Sequence, residues 1–173
     1  YLDIFSVVFQ DYNLLAVPLG NNVSCAAAWY QGKAERLLEE VGFGKRYREM
    51  PKGLKTPVYK EFDTDGVELS GGEAQKVALA RTLYRDTPFI ILDEPTAALD
   101  PIAEAEIYAK FDEIVGDKTA IYISHRLSSC QLCDQILVFH EGRIVQSGTH
   151  QELLAGEAGK YYELGHAQAQ YYA

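Results

Sequence analysis

The sequence predicts an α/β fold built on a mostly parallel sheet. Three short runs, "FSVVF" (5–9), "FIIL" (89–92) and "TAIYIS" (119–124), are β-branched, aromatic or apolar nearly throughout, as strands buried in parallel sheets tend to be. Segments with helical spacing alternate with those runs. Each run also closes on polar chemistry, at Gln10, at Asp93-Glu94 and at His125. In open α/β sheets the carboxyl ends of the strands are where ligands bind.

Taken in order, the first run is the short strand that Gln10-Asp11 closes. Residues 17 to 60 read as helical and irregular, a helical insertion on the sheet. Its clearest helix is "QGKAERLLEEV", with Ala34, Leu37, Leu38 and Val41 on one face and Gly42 just past the end. Lys52-Gly53, Thr56-Pro57 and the acidic "EFDTDG" (61–66) punctuate the stretch after that helix. A helix then runs from "LSGGEAQKVALAR" (69–81), rich in helix formers from Glu73 onward. The second strand ends in Asp93-Glu94-Pro95. Asp100 and Pro101 are a cap and a first-turn proline for a helix whose core face is Ile107, Phe111, Ile114 and Val115. The third run is expected to be a buried strand. Ile136–Phe139 and Arg143–Gln146 flank Glu141-Gly142 as a hairpin, and "THQE" (149–152) is a capping box opening a C-terminal helix.

At 173 residues the chain is one domain's worth, and 47% hydrophobic with 24% charged residues fits a globular protein. A net charge of −9 argues against nucleic acid as a main partner, because phosphate backbones favour a basic face. No apolar run of ~18 residues offers a membrane span, and no signal peptide is visible. Cys25, Cys130 and Cys133 make an odd count that reads as reduced thiols. Cys130-Gln-Leu-Cys133 has redox or half-zinc spacing, but no second pair or histidine cluster accompanies it, so the spacing is taken as coincidence. The chain opens at Tyr1 and its only methionine is Met50, so a fragment of something longer is expected.

The strand ends carry the chemistry. A strand delivering Asp93 then Glu94 places two carboxylates at one edge, one suited to hydrated Mg²⁺ and the other to activating water at a phosphate. His125 could touch a transferring phosphate or align the attacking water, and Gln10 could ligate the metal or position that water. Alone, each is equally a solvated strand end or a turn cap. Ser70-Gly71-Gly72 at the start of a helix supplies donors, since a helix N-terminus offers unpaired N–H groups and a partial positive charge. A tight backbone turn is the other reading of those glycines.

The set as a whole resembles the nucleotide-binding domain of an ABC transporter. "VVFQD" is similar to the Q-loop, "LSGGEAQKVALAR" to the signature motif and "FIILDEP" to the Walker B strand with its following acid. "AALD" resembles the D-loop and "ISHR" the switch-histidine loop, in the family's order and spacing. The resemblance implies a P-loop ATPase core with a helical subdomain between Q-loop and signature: 1–16 core strand and Q-loop, 17–70 helical subdomain, 71–173 the remaining core. It implies ATP and Mg²⁺ as ligands and ATP hydrolysis coupled to transport. Asp93 becomes the Walker B carboxylate, Glu94 the general base, His125 the γ-phosphate switch, and Gln10 the metal and water sensor. Ser70, Gly71 and Gly72 become γ-phosphate contacts and Asp100 a residue of the dimer seam, with two cassettes packed head to tail. A transmembrane permease domain is the other implied partner, at the cytoplasmic face of the membrane. Glu73 stands where the family more often has glutamine, a change expected to be tolerated.

The family's Walker A loop, G-x-x-x-x-G-K-[ST], does not occur in this sequence. The Gly-Lys pairs at 32–33, 44–45 and 159–160 lack the partner glycine five positions earlier. The chain alone is therefore expected to bind ATP weakly and not to turn it over, and its sheet to carry an unprotected edge. The tail "VFHEGRIVQSGTHQELL" resembles exporter-type domains. In the segment aligned with the exporters' "TEVGERG" loop, Glu61 and Gly66 agree and Asp65 replaces a basic residue. The alternative is a soluble ABC-type ATPase of DNA repair or chromosome maintenance, which would place a long coiled coil before the signature. Only 59 positions separate Gln10 from Leu69, with no sustained heptads.

Overall fold

The computed structural model describes residues 2–156 and 159–171. They form two compact units, Tyr1–Ile123 and Ser124–Ala173. The first holds a three-stranded parallel sheet of β1 (Phe5–Val8), β2 (Phe89–Asp93) and β3 (Thr119–Ile123), with β2 in the middle. Register pairs Val8 with Leu92 and Asp93 with Ile123, so all three strands end at one edge. The buried hydroxyls of Ser6 and Thr87, 2.7 Å apart, tie the amino ends of β1 and β2.

Between β1 and β2 lie α1 (Leu19–Ser24), α2 (Gln31–Glu40), α3 (Gly44–Arg48) and α4 (Gly71–Tyr84). The face read from α2 is buried as Ala34, Leu37 and Leu38, with Val41 just beyond the helix end, and Gly42 turns out at φ 74°. None of the helices between β1 and α4 exceeds ten residues, so no coiled coil forms there. Gly20 is required by close approach, because an added Cβ would sit 2.5 Å from the Trp29 ring. At Gly66 it would sit 1.9 Å from the Tyr59 carbonyl oxygen.

Helix α4 packs against β1, α1 and α2. Its buried residues, Ala74, Gln75, Val77–Ala80, Thr82 and Leu83, go nearly all round the axis. Arg81 leaves α4 to hold the entry of the helical segment. Its Nε donates to the Asn22 carbonyl at 2.8 Å, Nη2 to Asn22 Oδ1 at 3.0 Å and Nη1 to the Asn13 carbonyl at 3.0 Å. Asn22 is 2% exposed, and its side chain also bonds Leu15 N–H, Leu15 O and Val17 O.

Two expectations change. The helix expected after Asp100 is two helices, α5 (Pro101–Ala109) and α6 (Phe111–Val115), although Ile107, Phe111, Ile114 and Val115 are all buried as foreseen. The third strand is not buried: Ile121 and Ile123 are 47% and 50% exposed. Among the described residues only β2 pairs with β3, so β3 is an edge strand of the three-stranded sheet.

The second unit contains α7 (Leu127–Cys130), the antiparallel hairpin β4 (Ile136–His140) and β5 (Arg143–Gly148), α8 (His150–Ala155) and α9 (Lys160–Tyr171). Glu141 and Gly142 both have positive φ, the signature of a hairpin turn that follows the strand twist. Thr149 and Glu152 form the expected capping box, but α8 stops at Ala155 and α9 follows as a separate helix. Ile136, Val138, Leu153 and Tyr161 make the small core, where Tyr161 OH meets His150 Nδ1 at 2.7 Å. Cys130 and Cys133 flank it, and burial raises the Cys133 thiol pKa, helped by Cys130. No helix among the described residues is long and apolar enough to cross a membrane.

Asn22→Ala removes the acceptor and donors that serve Leu15, Val17 and Arg81 together. It is expected to cost about 2–4 kcal/mol, read as a lower midpoint in urea unfolding.

Candidate active site

The parallel pairing of β1 and β2 delivers Gln10 and Asp93-Glu94 to the same edge of the sheet. Gln10 Nε2 donates to Glu94 Oε2 across 3.4 Å, a long contact between two residues 84 positions apart. Asp93 and Glu94 are half-buried and Gln10 is exposed. Glu94 takes φ 46°, a left-handed backbone that costs a non-glycine residue roughly 1–2 kcal/mol. Its backbone is held from both sides: its N–H donates to the Ile123 carbonyl at 3.0 Å, and its carbonyl accepts from Ala97 N–H at 3.1 Å.

The turn from Glu94 to Ala98 rests on α4. Gln75 Nε2 donates to the Glu94 carbonyl at 3.1 Å, while Gln75 Oε1 accepts from Ala98 N–H at 2.9 Å. Gln75 is 2% exposed. Gly72 lies against the same turn, where an added Cβ would meet the Ala98 carbonyl oxygen at 3.1 Å and Leu99 Cδ2 at 3.3 Å.

The N-terminus of α4 is a full capping box. Ser70 Oγ accepts from Glu73 N–H at 3.3 Å, and Glu73 Oε2 accepts from Ser70 N–H at 2.8 Å. The box leaves the Gly71 and Gly72 N–H groups at the open end of the helix, and Ser70 keeps its hydroxyl proton to donate. Glu73 brings negative charge to that end. Arg46 Nε stands 3.1 Å from Glu73 Oε1, an ion-pair contact whose angle is too poor for a hydrogen bond. Tyr12, two residues past Gln10, donates its hydroxyl to the Gly71 carbonyl at 2.7 Å. Burial, then the charge of Tyr59, pushes the Tyr12 phenol pKa up, so it remains a proton donor well above neutral pH. Asp100 caps α5 through Ile102 N–H and Ala103 N–H, both at 3.0 Å. His125 lies in the second unit, exposed, with its carbonyl accepting from the Gln168 amide.

A family model described as ABC transporter matches residues 3–97. The chain belongs to the ABC transporter family. The matched stretch of this ABC transporter chain takes in Gln10, Ser70–Gly72 and Asp93-Glu94, while Asp100 and His125 lie beyond it. Among relatives, an ATP-dependent lipid A-core flippase of Paraburkholderia xenovorans is 39% identical over 95% of this chain and 27% of its own length. The flippase of the same name from Vibrio cholerae is 39% identical over 95% of this chain and 28% of its own. A solved structure of a bacterial Atm1-family ABC exporter with ATP bound superposes with a TM-score of 0.85 at 32% identity. That match covers 96% of this chain and 28% of the exporter's. The chain thus spans little more than a quarter of the proteins it matches. Both comparisons bear out the likeness to exporters despite Asp65, whose carboxylate meets Lys52 Nζ at 2.9 Å.

Sequence reasoning missed Gln75 and Tyr12. Gln75 carried a faint signal, as a polar side chain whose neighbours one turn away, Gly71, Gly72, Ala78 and Leu79, are all small or apolar. Tyr12 carried none, since an aromatic residue in a loop does not announce a hydroxyl contact 59 positions away.

The two backbone bonds, Ala103 N–H first, hold the Asp100 carboxyl below its ordinary range. A depressed carboxylate stabilises above its unfolded pKa and loses that contribution as pH falls through the folded value. Asp100→Ala is expected to lower the melting temperature at pH 7, with the gap to wild type closing below about pH 4.

Proposed function

We propose that this chain is part of the ATP-binding and ATP-hydrolysing engine of a membrane exporter. The observation that carries the reading is the meeting of Gln10 and Glu94 at the carboxyl edge of the sheet, next to Asp93. In this reading Glu94 accepts the proton of the attacking water, and Gln10 orients the Glu94 carboxylate while its side-chain oxygen faces the water or the cation. His125 contacts the γ-phosphate, and Asp100 lies at the seam between two cassettes. Ser70 Oγ and the Gly71 and Gly72 N–H groups donate to the γ-phosphate of ATP held by a second cassette packed head to tail.

Asp93 and the Gln10 side-chain oxygen are hard donors that fit Mg²⁺. No group of three or more His, Cys, Asp or Glu converges among the described residues, so water and phosphate oxygens would complete the coordination. When bound, Mg²⁺ neutralises charge on the phosphate oxygens. A membrane-spanning permease domain is the coupled partner, which places the chain at the cytoplasmic face of a membrane. The sequence has no P-loop lysine and nest, so in this reading the chain by itself lacks the grip on the β- and γ-phosphates and does not turn ATP over.

Glu94→Gln in the full-length gene product is expected to reduce ATP turnover by about 10²–10⁴-fold with ATP binding retained, measured by phosphate release and nucleotide binding. Near-normal hydrolysis would remove the base assignment. For the 173-residue chain by itself, calorimetry should find no tight, Mg²⁺-dependent ATP site; one such site would overturn the division of labour between the two cassettes.

A further inference from the structure

We infer that Gln75 is a positioning residue for Glu94, holding the catalytic carboxylate in place from inside the signature helix; this rests on the assignment of Glu94 as the base. The geometry is specific to a primary amide. Gln75 gives a donor to the Glu94 carbonyl at 3.1 Å and an acceptor to Ala98 N–H at 2.9 Å, so one side chain closes the turn at both ends. No other uncharged side chain of that length offers both groups in one plane. The clamp is buried, at 2% exposure, where water cannot replace either bond.

What the clamp holds is a residue out of its preferred backbone. Glu94 sits at φ 46°, and such a conformation persists only when its surroundings over-determine it. Glu94 N–H is fixed by Ile123 of the sheet and Ala97 closes the turn locally, while Gln75 ties both ends of the turn to α4. The direction of the Glu94 side chain, and with it the Gln10 contact at 3.4 Å, is set by that backbone. Just over one turn separates Gln75 from Gly71, and Gly72 lies beside Ala98, so donor cradle and catalytic base are fastened to one rigid element. Displacement of a base by even an ångström costs about a hundredfold in rate.

The test uses the full-length gene product. Gln75→Leu keeps the volume and removes both bonds. It is expected to lower kcat by about 10–100-fold, with KM for ATP moving by less than about threefold, and to speed hydrogen exchange at the Ala98 amide. Gln75→Glu separates positioning from mere packing. Its carboxylate keeps the acceptor for Ala98 but loses the donor, and its protonated form restores both. The turnover ratio of Gln75→Glu to wild type should therefore rise as pH falls, a dependence that a volume-filling role does not produce. If Gln75→Leu does not fold, Gln75→Glu carries the test alone, and a flat, near-unity ratio overturns the proposal. Wild-type kcat in Gln75→Leu, with Glu94→Gln inactive, overturns the positioning role only. Normal turnover in Glu94→Gln overturns the base assignment and the positioning role with it.

Discussion

A helix buried along its body and open at its first turn is the constraint on which the first unit depends. Helix α4 is wrapped by β1, α1 and α2, so it cannot tilt without disturbing the core. Its N–H groups at Gly71 and Gly72 are thereby aimed by packing that lies well behind them. The same burial explains the glycines. A Cβ at Gly72 would crowd the Ala98 carbonyl, so a larger residue there would push the helix away from the turn that bears Glu94.

In the proposed role, α4 would meet an anion on a chain whose net charge is −9. Oriented backbone dipoles at its first turn concentrate partial positive charge without altering that total. Glu73 works against this, being acidic in the first turn. The capping box and the Arg46 contact hold its carboxylate to one side and offset part of its charge. Glutamate in place of glutamine is thus accommodated by a residue from α3 that sequence spacing does not single out.

Much of the architecture was legible because periodicity reports burial directly. The β1 and β2 runs, the α2 face, the Asp100 cap and the Thr149 box all appear where their patterns predict. The pattern misleads at β3. An apolar run states what a strand is able to bury, whereas Ile121 and Ile123 show that coverage depends on which neighbours are present. The α5–α6 break escaped because the core face continues across Lys110 and conceals it. At the site, the strand-end residues were readable from motif spacing, but their support was not. Gln75 and Tyr12 act through contacts made only once α4 has docked, and no local pattern encodes a docking distance.

Trp29 has a use unrelated to catalysis. It is the only tryptophan in the chain, and its ring lies flush against the backbone of Gly20 in α1, where no side chain intervenes. Its indole emission therefore reports the seating of the helical segment, while the sheet and the second unit hold no tryptophan. The molecule carries its own gauge for that one joint, readable in solution without a label.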